Sequence, residues 1–162
     1  MAGIRVNLTG FKDLLEQIDK AGGNADNATL RAVQESARIV ESELKNACNT
    51  AGVPSSVTSA ITTEVTQSGN RTSAEIGWKM GNYDPKNPSA GYKAVFLNYG
   101  TPKRAVKKDH IRHELTGGFV TLGKDRGQIA PRGFIGAAKK ASGKQVKKKQ
   151  EEVLQEILKG LE

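Results

Sequence analysis

Two histidines and a carboxylate stand close together in this sequence, at His110, His113 and Glu114. In the zinc proteases the two histidines are four residues apart on one face of a helix, and the spacing here is three. Histidines in a polar, glycine-rich stretch are also poorly pre-organised for a metal ion. We therefore predict a solvated or structural role for these residues and no metal site.

The other groups that could support catalysis lack the pattern that each chemistry needs. Glycines recur at positions 117, 118, 123 and 127, but no Gly-Lys-Ser/Thr follows them as in a phosphate-binding loop. Cys48 has no histidine and carboxylate context for a nucleophile, and it reads as a small apolar residue in or just after a helix. No serine lies in a nucleophile-elbow pattern. We predict no catalytic, cofactor-binding or metal-binding residues, and a protein that is not an enzyme.

The positive charge of the chain is concentrated in one segment. Residues 1–101 hold ten basic and ten acidic residues, residues 102–149 fourteen and three, and residues 150–162 one and four, for a net charge of +8. One interpretation of the basic segment is contact with nucleic acid or an acidic protein surface. The other is a set of solvated loop and helix faces.

Length and composition describe one domain that relies on neighbours. A chain of 162 residues is one domain by length, spanning 1–162. Its hydrophobic content of 36% and aromatic content of 5% are low for an independent globule, which suggests that an assembly supplies part of the stability. The single cysteine excludes an intramolecular disulfide. No apolar run reaches the roughly 18 residues that span a membrane, and residues 1–10 lack a signal-peptide pattern, so we expect a reducing cytoplasm.

The N-terminal half is predicted to hold a strand, two helices and a hairpin. Residues 4–8 alternate as a strand, Thr9 is a candidate cap for the first helix, and Gly22-Gly23 ends that helix. A longer helix from about Asp26 has two four-residue ion pairs, Arg31 with Glu35 and Glu41 with Lys45. Its apolar stripe comprises Leu30, Val33, Ala37, Val40, Leu44 and Ala47.

After a short helix or turn that begins at Pro54, a hairpin is the clearest strand pair. Its strands are residues 61–67 and 72–78, with Ala74, Ile76 and Trp78 on one face. Residues 80–90 follow as an irregular loop. Residues 92–99 form an apolar and aromatic run that we expect to be buried, as a short helix or as a strand.

A corner and a basic arm follow that run. Gly100 permits positive φ and Pro102 favours extended geometry before it, so the run should end sharply. The arm, residues 102–128, is longer than most loops and is expected to be mobile alone and ordered in an assembly, with strands within 111–115 and 118–122. The final helix spans 132–161 with a weak point at Ser142-Gly143. The predicted corner and core residues are Phe96, Tyr99, Gly100, Thr101, Pro102 and Phe134.

The order of these motifs resembles the siphophage head–tail joining and tail-completion family. The features that carry the resemblance are the Pro-Ser-Ser-Val-Thr-Ser-Ala-Ile step from Pro54, the Tyr99-Gly100-Thr101 corner with its basic loop, and the Pro131-x-x-Phe134-Ile135 step that opens the last helix. They cover nearly the whole chain. One departure is Asn98, where related proteins usually carry a carboxylate. The resemblance also favours a helix for residues 92–99.

We predict an α+β fold, in which a small antiparallel sheet is covered by the two long helices and the basic arm projects. The resemblance adds an expected function. It implies a virion protein of the neck or upper tail, assembled in the host cytoplasm as a ring, sixfold to match the tail. Its partners would be other copies, the tail tube or tail terminator protein and the head connector protein, with non-specific proximity to DNA and no membrane. The alternative is a small basic nucleic-acid-binding protein. The predicted interface residues are Lys103, Arg104, Lys107, Lys108, Phe119 and Arg132.

If the basic arm is an interface, replacing Lys103 and Arg104 together by Gln should leave the fold intact and impair joining. Thermal melts of the purified variant should match those of the wild type. A complementation assay with a virion that lacks the protein should then yield unjoined heads and tails. Normal plaque formation by this variant would instead mean that the arm is only a solvated loop.

Overall fold

The computed structural model describes residues 1–68, 71–101 and 128–161, and the backbone of two short strands at 110–112 and 119–121. It confirms the α+β class, since helices pack against a three-stranded antiparallel sheet. The elements in chain order are β1 (Ala2–Asn7), α1 (Lys12–Lys20), α2 (Ala25–Thr50), α3 (Ser55–Thr58), β2 (Thr62–Ser68), β3 (Arg71–Trp78), α4 (Ala90–Tyr99), β4 (His110–Arg112), β5 (Phe119–Thr121) and α5 (Phe134–Lys159).

Strand β3 lies at the centre of the sheet, between β1 and β2. Both neighbours pair with it in antiparallel fashion, so that Ile4 and Thr63 lie on either side of Ile76. The hairpin and the β1 strand are therefore confirmed, and Ala74, Ile76 and Trp78 are fully buried as predicted. The alternation of these residues along a half-buried strand is what made the sequence signal clear.

Helix α2 is the central support of the fold, because it packs against the sheet and also along α5. The two long helices run antiparallel: Arg31 near the start of α2 bonds to Glu156 near the end of α5, and Arg132 before α5 bonds to Ala51 after α2. Packing on two sides buries a wider face of α2 than the predicted stripe. Leu30 and Ala47 are only partly buried, whereas the buried residues are Ala28, Ala32, Val33, Ser36, Ala37, Val40, Leu44 and Cys48.

The predicted start of the first helix is wrong. Helix α1 begins at Lys12, and Phe11 before it makes no side-chain cap, so Thr9 does not cap the helix. Phe11 is 9% exposed and joins the core beside Ile18, which indicates that apolar burial positions this helix. A cap exists instead at α2, where the side chain of Asn24 accepts a hydrogen bond from the Asn27 amide at 2.9 Å.

Of the two ion pairs predicted on α2, one is confirmed. The Lys45 Nζ lies 2.6 Å from the Glu41 Oε1. Hydrogen bonds from the Lys45 ammonium and the Thr63 hydroxyl lower the pKa of the Glu41 carboxyl. Arg31 bonds to Glu156 of α5 rather than to Glu35. The reason is that α5 brings a carboxylate within reach of Arg31 from outside the helix, a partner that four-residue spacing cannot reveal.

Helix α5 continues without interruption through Ser142 and Gly143, so the predicted weak point does not break the helix. Ser142 is 2% exposed, within the face that packs on the rest of the domain. Tertiary packing of a long helix outweighs the roughly 1 kcal/mol that one glycine costs relative to alanine. The neighbouring Gly143 is exposed, and an added Cβ there would meet no atom within 4 Å.

The predicted arm is described only in part. Strands β4 and β5 pair antiparallel, with Ile111 opposite Val120, and this confirms the pairing expected within the arm. Residues 102–109, 113–118 and 122–127 lie outside the described part, so the mobility predicted for them stays a prediction. For the same reason, the interface role stays a prediction for Lys103, Arg104, Lys107, Lys108 and the side chain of Phe119. The corner role of Pro102 also stays a prediction.

Cys48 behaves as the small apolar residue that was predicted. Its side chain is fully buried in the main core, and desolvation raises the pKa of the thiol to about 11. A thiol in this state is neither ionised nor accessible at neutral pH.

Trp78 and Phe134 join the hairpin to the last helix. Their rings meet edge to face with centroids 5.9 Å apart, and the Trp78 indole N–H donates to the Val57 carbonyl at 2.7 Å. Phe134 is 1% exposed, which confirms its predicted core role. Phe96 is only partly buried and lies outside both core clusters.

Replacing Phe134 by Ala should therefore destabilise the fold far more than replacing Phe96 by Ala. The first change leaves a cavity beside Trp78 and should lower the free energy of unfolding by about 3–5 kcal/mol. Urea titration followed by fluorescence of the single tryptophan measures both variants. Equal losses from the two substitutions would contradict the assignment of Phe134 alone to the core.

Candidate functional site

The chain turns sharply where α4 ends. Gly100 has a φ of 76°, the positive value predicted for the corner, and its amide bonds to the Phe96 carbonyl at 2.8 Å. A Cβ at this position would lie 2.6 Å from the Ile129 carbonyl oxygen and 3.0 Å from the Pro131 ring. Only glycine combines this φ with such a close approach of another backbone segment.

Thr101 bonds to Ile129 immediately after the corner. The Thr101 amide donates to the Ile129 carbonyl at 2.9 Å, and the Ile129 amide donates to the Thr101 hydroxyl at 3.1 Å. The hydroxyl and both amides are thus paired, with Thr101 only 8% exposed. The two predicted clusters, around Tyr99-Gly100-Thr101 and around Pro131 to Ile135, therefore meet in space.

The last turn of α4 then caps the first turn of α5. Asn98 is 5% exposed, and its side-chain oxygen accepts a hydrogen bond from the Ile135 amide at 2.9 Å. The Leu97 and Asn98 carbonyls accept from the amides of Arg132 and Gly133. An amide N–H at a helix N-terminus can be satisfied by an amide oxygen as well as by a carboxylate, so the departure at Asn98 preserves the cap.

Arg132, a predicted interface residue, makes hydrogen bonds within the chain. Its guanidinium Nη1 donates to the carbonyls of Ala51 at 3.0 Å and Gly52 at 2.6 Å. These carbonyls lie just past the C-terminal end of α2, where a cation is favourable and unpaired acceptors are common. Arg132 thus links the start of α5 to the end of α2 through these hydrogen bonds. Its interface role stays a prediction.

The prediction that residues 92–99 are buried is wrong for Tyr99 and holds only in part for Tyr92, Val95, Phe96 and Leu97, which are partly buried. The run is a helix, as the resemblance favoured, but its buried residues are Gly91, Ala94 and Asn98. The backbone passes so close to the end of β3 that a Cβ on Gly91 would lie 2.6 Å from the Lys79 carbonyl oxygen. Because only small residues fit there, the aromatic residues lie towards the outside, and Tyr99 is 68% exposed, while Leu97 packs against the edge of the core.

Five residues form what we call the aromatic surface: the exposed Tyr83 and Tyr99 and the partly buried Tyr92, Val95 and Phe96. The four on α4 follow the helical spacing i, i+3, i+4, i+7, so they share one side of the helix. The Tyr83 ring meets Tyr92 and Phe96 edge to face, with centroids 4.9 and 6.5 Å apart. Tyr83 itself is 51% exposed.

This surface holds all three tyrosines and one of the four phenylalanines of a chain with eight aromatic residues. The sequence singled out the α4 residues but assigned them to the core, because a helical stripe looks the same whether it faces a core or a partner. Tyr83 was missed, since it lies in an irregular loop without periodicity. The concentration of aromatic residues around 83–99 was the signal that could have located the surface.

Within residues 1–68, 71–101 and 128–161, no group of three or more histidine, cysteine, aspartate or glutamate side chains is placed to hold a metal ion. None of the described helices is long and apolar enough to cross a membrane. No family model, curated protein or solved structure matches this chain.

The corner should tolerate few substitutions. Gly100→Ala should lower the free energy of unfolding by about 1 kcal/mol or more, through its φ and its clash with Ile129. Asn98→Ala should cost about 1–2 kcal/mol by removing the α5 cap, and Asn98→Asp should restore the acceptor. Asn46→Ala, at an exposed position of α2, is the control, with thermal and urea melts as readouts. Wild-type stability of both Gly100→Ala and Asn98→Ala would mean that the junction contributes nothing.

Proposed function

We propose that this protein is a virion structural protein of a long-tailed phage or prophage, which acts at the neck or upper end of the tail. There it joins the tail tube to the head connector as a ring, sixfold to match the tail. It works by surface complementarity between proteins rather than by catalysis. The resemblance in the order of its motifs supports this proposal, and the aromatic surface of α4 is the observation that carries it.

The aromatic surface combines two exposed tyrosines with partly buried aromatic rings. Tyrosine and phenylalanine are enriched at the centres of protein interfaces, and exposed apolar clusters mark candidate contact sites. Fully burying a phenylalanine side chain contributes about 1.5–3 kcal/mol relative to leaving it exposed, and the tyrosine ring is a similar apolar body with a polar tip. Tyr83 and Tyr99, each more than half exposed, therefore retain much of this energy for a partner.

We assign this surface to the contact between neighbouring copies. Tyr99 is two residues from Thr101, the last described residue before the basic arm, so the arm follows the aromatic surface directly in the sequence. The resemblance implies arms that become ordered on neighbouring copies, and one contact would then use both features. In a ring each copy presents this surface to a different surface of the next copy, since ring contacts are heterologous.

The isolated protein should be a monomer or weak oligomer that forms rings only at high concentration or on a tail end. Light scattering against concentration and electron micrographs measure this. Replacing Tyr83 and Tyr99 together by Ser should abolish ring formation and leave the melting temperature nearly unchanged, because both side chains are mostly exposed.

The matched control for this experiment is Val65→Ser, an exposed apolar residue on β2. It should assemble as the wild type does. In the complementation assay, only the double tyrosine variant should leave heads and tails unjoined. A concentration-independent dimer without rings, or normal assembly by the double variant, would refute this use of the aromatic surface.

A further inference from the structure

The N-terminal half of α5 carries an unbalanced positive charge. Residues 134–149 include six lysines and no aspartate or glutamate. Lys140, Lys144, Lys147 and Lys148 are all exposed and follow the spacing i, i+4, i+7, i+8, which puts them on one side of the helix. We call this side the lysine surface. The other side is buried through Ala138 and Ser142.

This arrangement opposes the stability of the helix. Like charges four residues apart repel, as in the pairs Lys140 with Lys144 and Lys144 with Lys148. Helix stability therefore does not explain the lysines. A polyanionic partner would attract each ammonium group and so offset the repulsion between them.

Two glycines next to the lysines point the same way. Gly136 and Gly143 lie within α5 and are exposed, and a Cβ at either position would meet no atom within 4 Å. Glycine inside a helix is destabilising relative to alanine, and nothing in the described packing requires it here. A missing side chain does allow a partner to approach the helix backbone closely between the lysines.

The described carboxylates offer the lysine surface little compensation. Lys148 lies 3.6 Å from Glu152, and in the described part of the chain no carboxylate comes within 4 Å of the ammonium groups of Lys140, Lys144 or Lys147. A second copy is a poor partner for them, because it carries a net charge of +8 itself.

We propose that the lysine surface binds the phosphate backbone of duplex DNA without sequence preference. From Lys140 to Lys148 the helix rises about 12 Å. A duplex carries one charge per roughly 1.7 Å, so several phosphates lie within reach of this length. Lysine acts as a point charge, and the surface has no arginine or aromatic residue that would read base edges or stack on bases. This activity belongs to the isolated protein and does not depend on ring assembly.

The test is fluorescence anisotropy with two unrelated 30-base-pair duplexes, over a range of KCl concentrations. The wild type should bind both duplexes alike. The triple variant Lys140→Gln, Lys144→Gln, Lys147→Gln should bind at least ~10-fold more weakly at low salt, and the slope of log K against log salt should shrink by about 2.7, or 0.9 per lost contact. The matched control replaces Lys12, Lys20 and Lys86 by Gln, with the same change in net charge.

The control should keep the wild-type slope. Equal weakening by both triple variants would overturn the proposal, because it would show a response to net charge alone. A variant with Lys103, Arg104, Lys107 and Lys108 replaced together tests whether the arm binds the DNA instead. If this variant loses binding and the triple lysine variant does not, the lysine surface is not the site. Binding to polyglutamate but not to either duplex would indicate an acidic protein partner and would also overturn the proposal.

Gly143→Leu provides a readout that a purely structural role would not affect. Leucine favours helix over glycine, so the variant should melt no lower than the wild type. Its side chain would stand between the lysines and hinder close approach, so DNA binding should weaken several-fold. Undiminished binding by this variant would count against a contact through the lysine surface.

Discussion

The rest of the structure depends on the hydrogen bond from the Ile135 amide to the Asn98 side chain. It fixes the start of α5 against the end of α4, and the α5 that begins there packs along α2 for most of its length. Helix α2 in turn covers the sheet. The bond is buried, so losing the acceptor would leave an unpaired amide at a helix terminus, which costs more than an average hydrogen bond contributes.

The same junction explains why α4 shows its bulky side to solvent. Its buried side must approach both β3 and the segment that leads into α5, and Gly91, Ala94 and Asn98 are small or polar enough to do so. Large apolar residues are then left for the outer side. Close backbone packing inside the domain and an aromatic surface outside it are thus two results of one arrangement, in a chain whose aromatic content is low.

The sequence predicted the elements whose signals are local. The hairpin around β3, the long α2 helix and the buried Cys48 all followed from periodicity and residue type. Contacts set by distant partners were not predictable in this way: Arg31 reaches Glu156, and Ser142 and Gly143 stay helical because α5 packs against α2. The exposure of Tyr99 was not predictable either. Hydrophobic spacing locates the apolar side of a helix but does not show whether the core of the domain covers it.

Because Thr101 and Ile129 bond to each other, the stability of the fold depends little on the length of the segment between them. The two residues close the chain on itself with their own hydrogen bonds. The entropy of closing a flexible loop rises only with the logarithm of its length, by about 0.6 kcal/mol per doubling. The segment between these two residues could therefore be exchanged, lengthened or shortened as a unit while the helices and the sheet stay as they are.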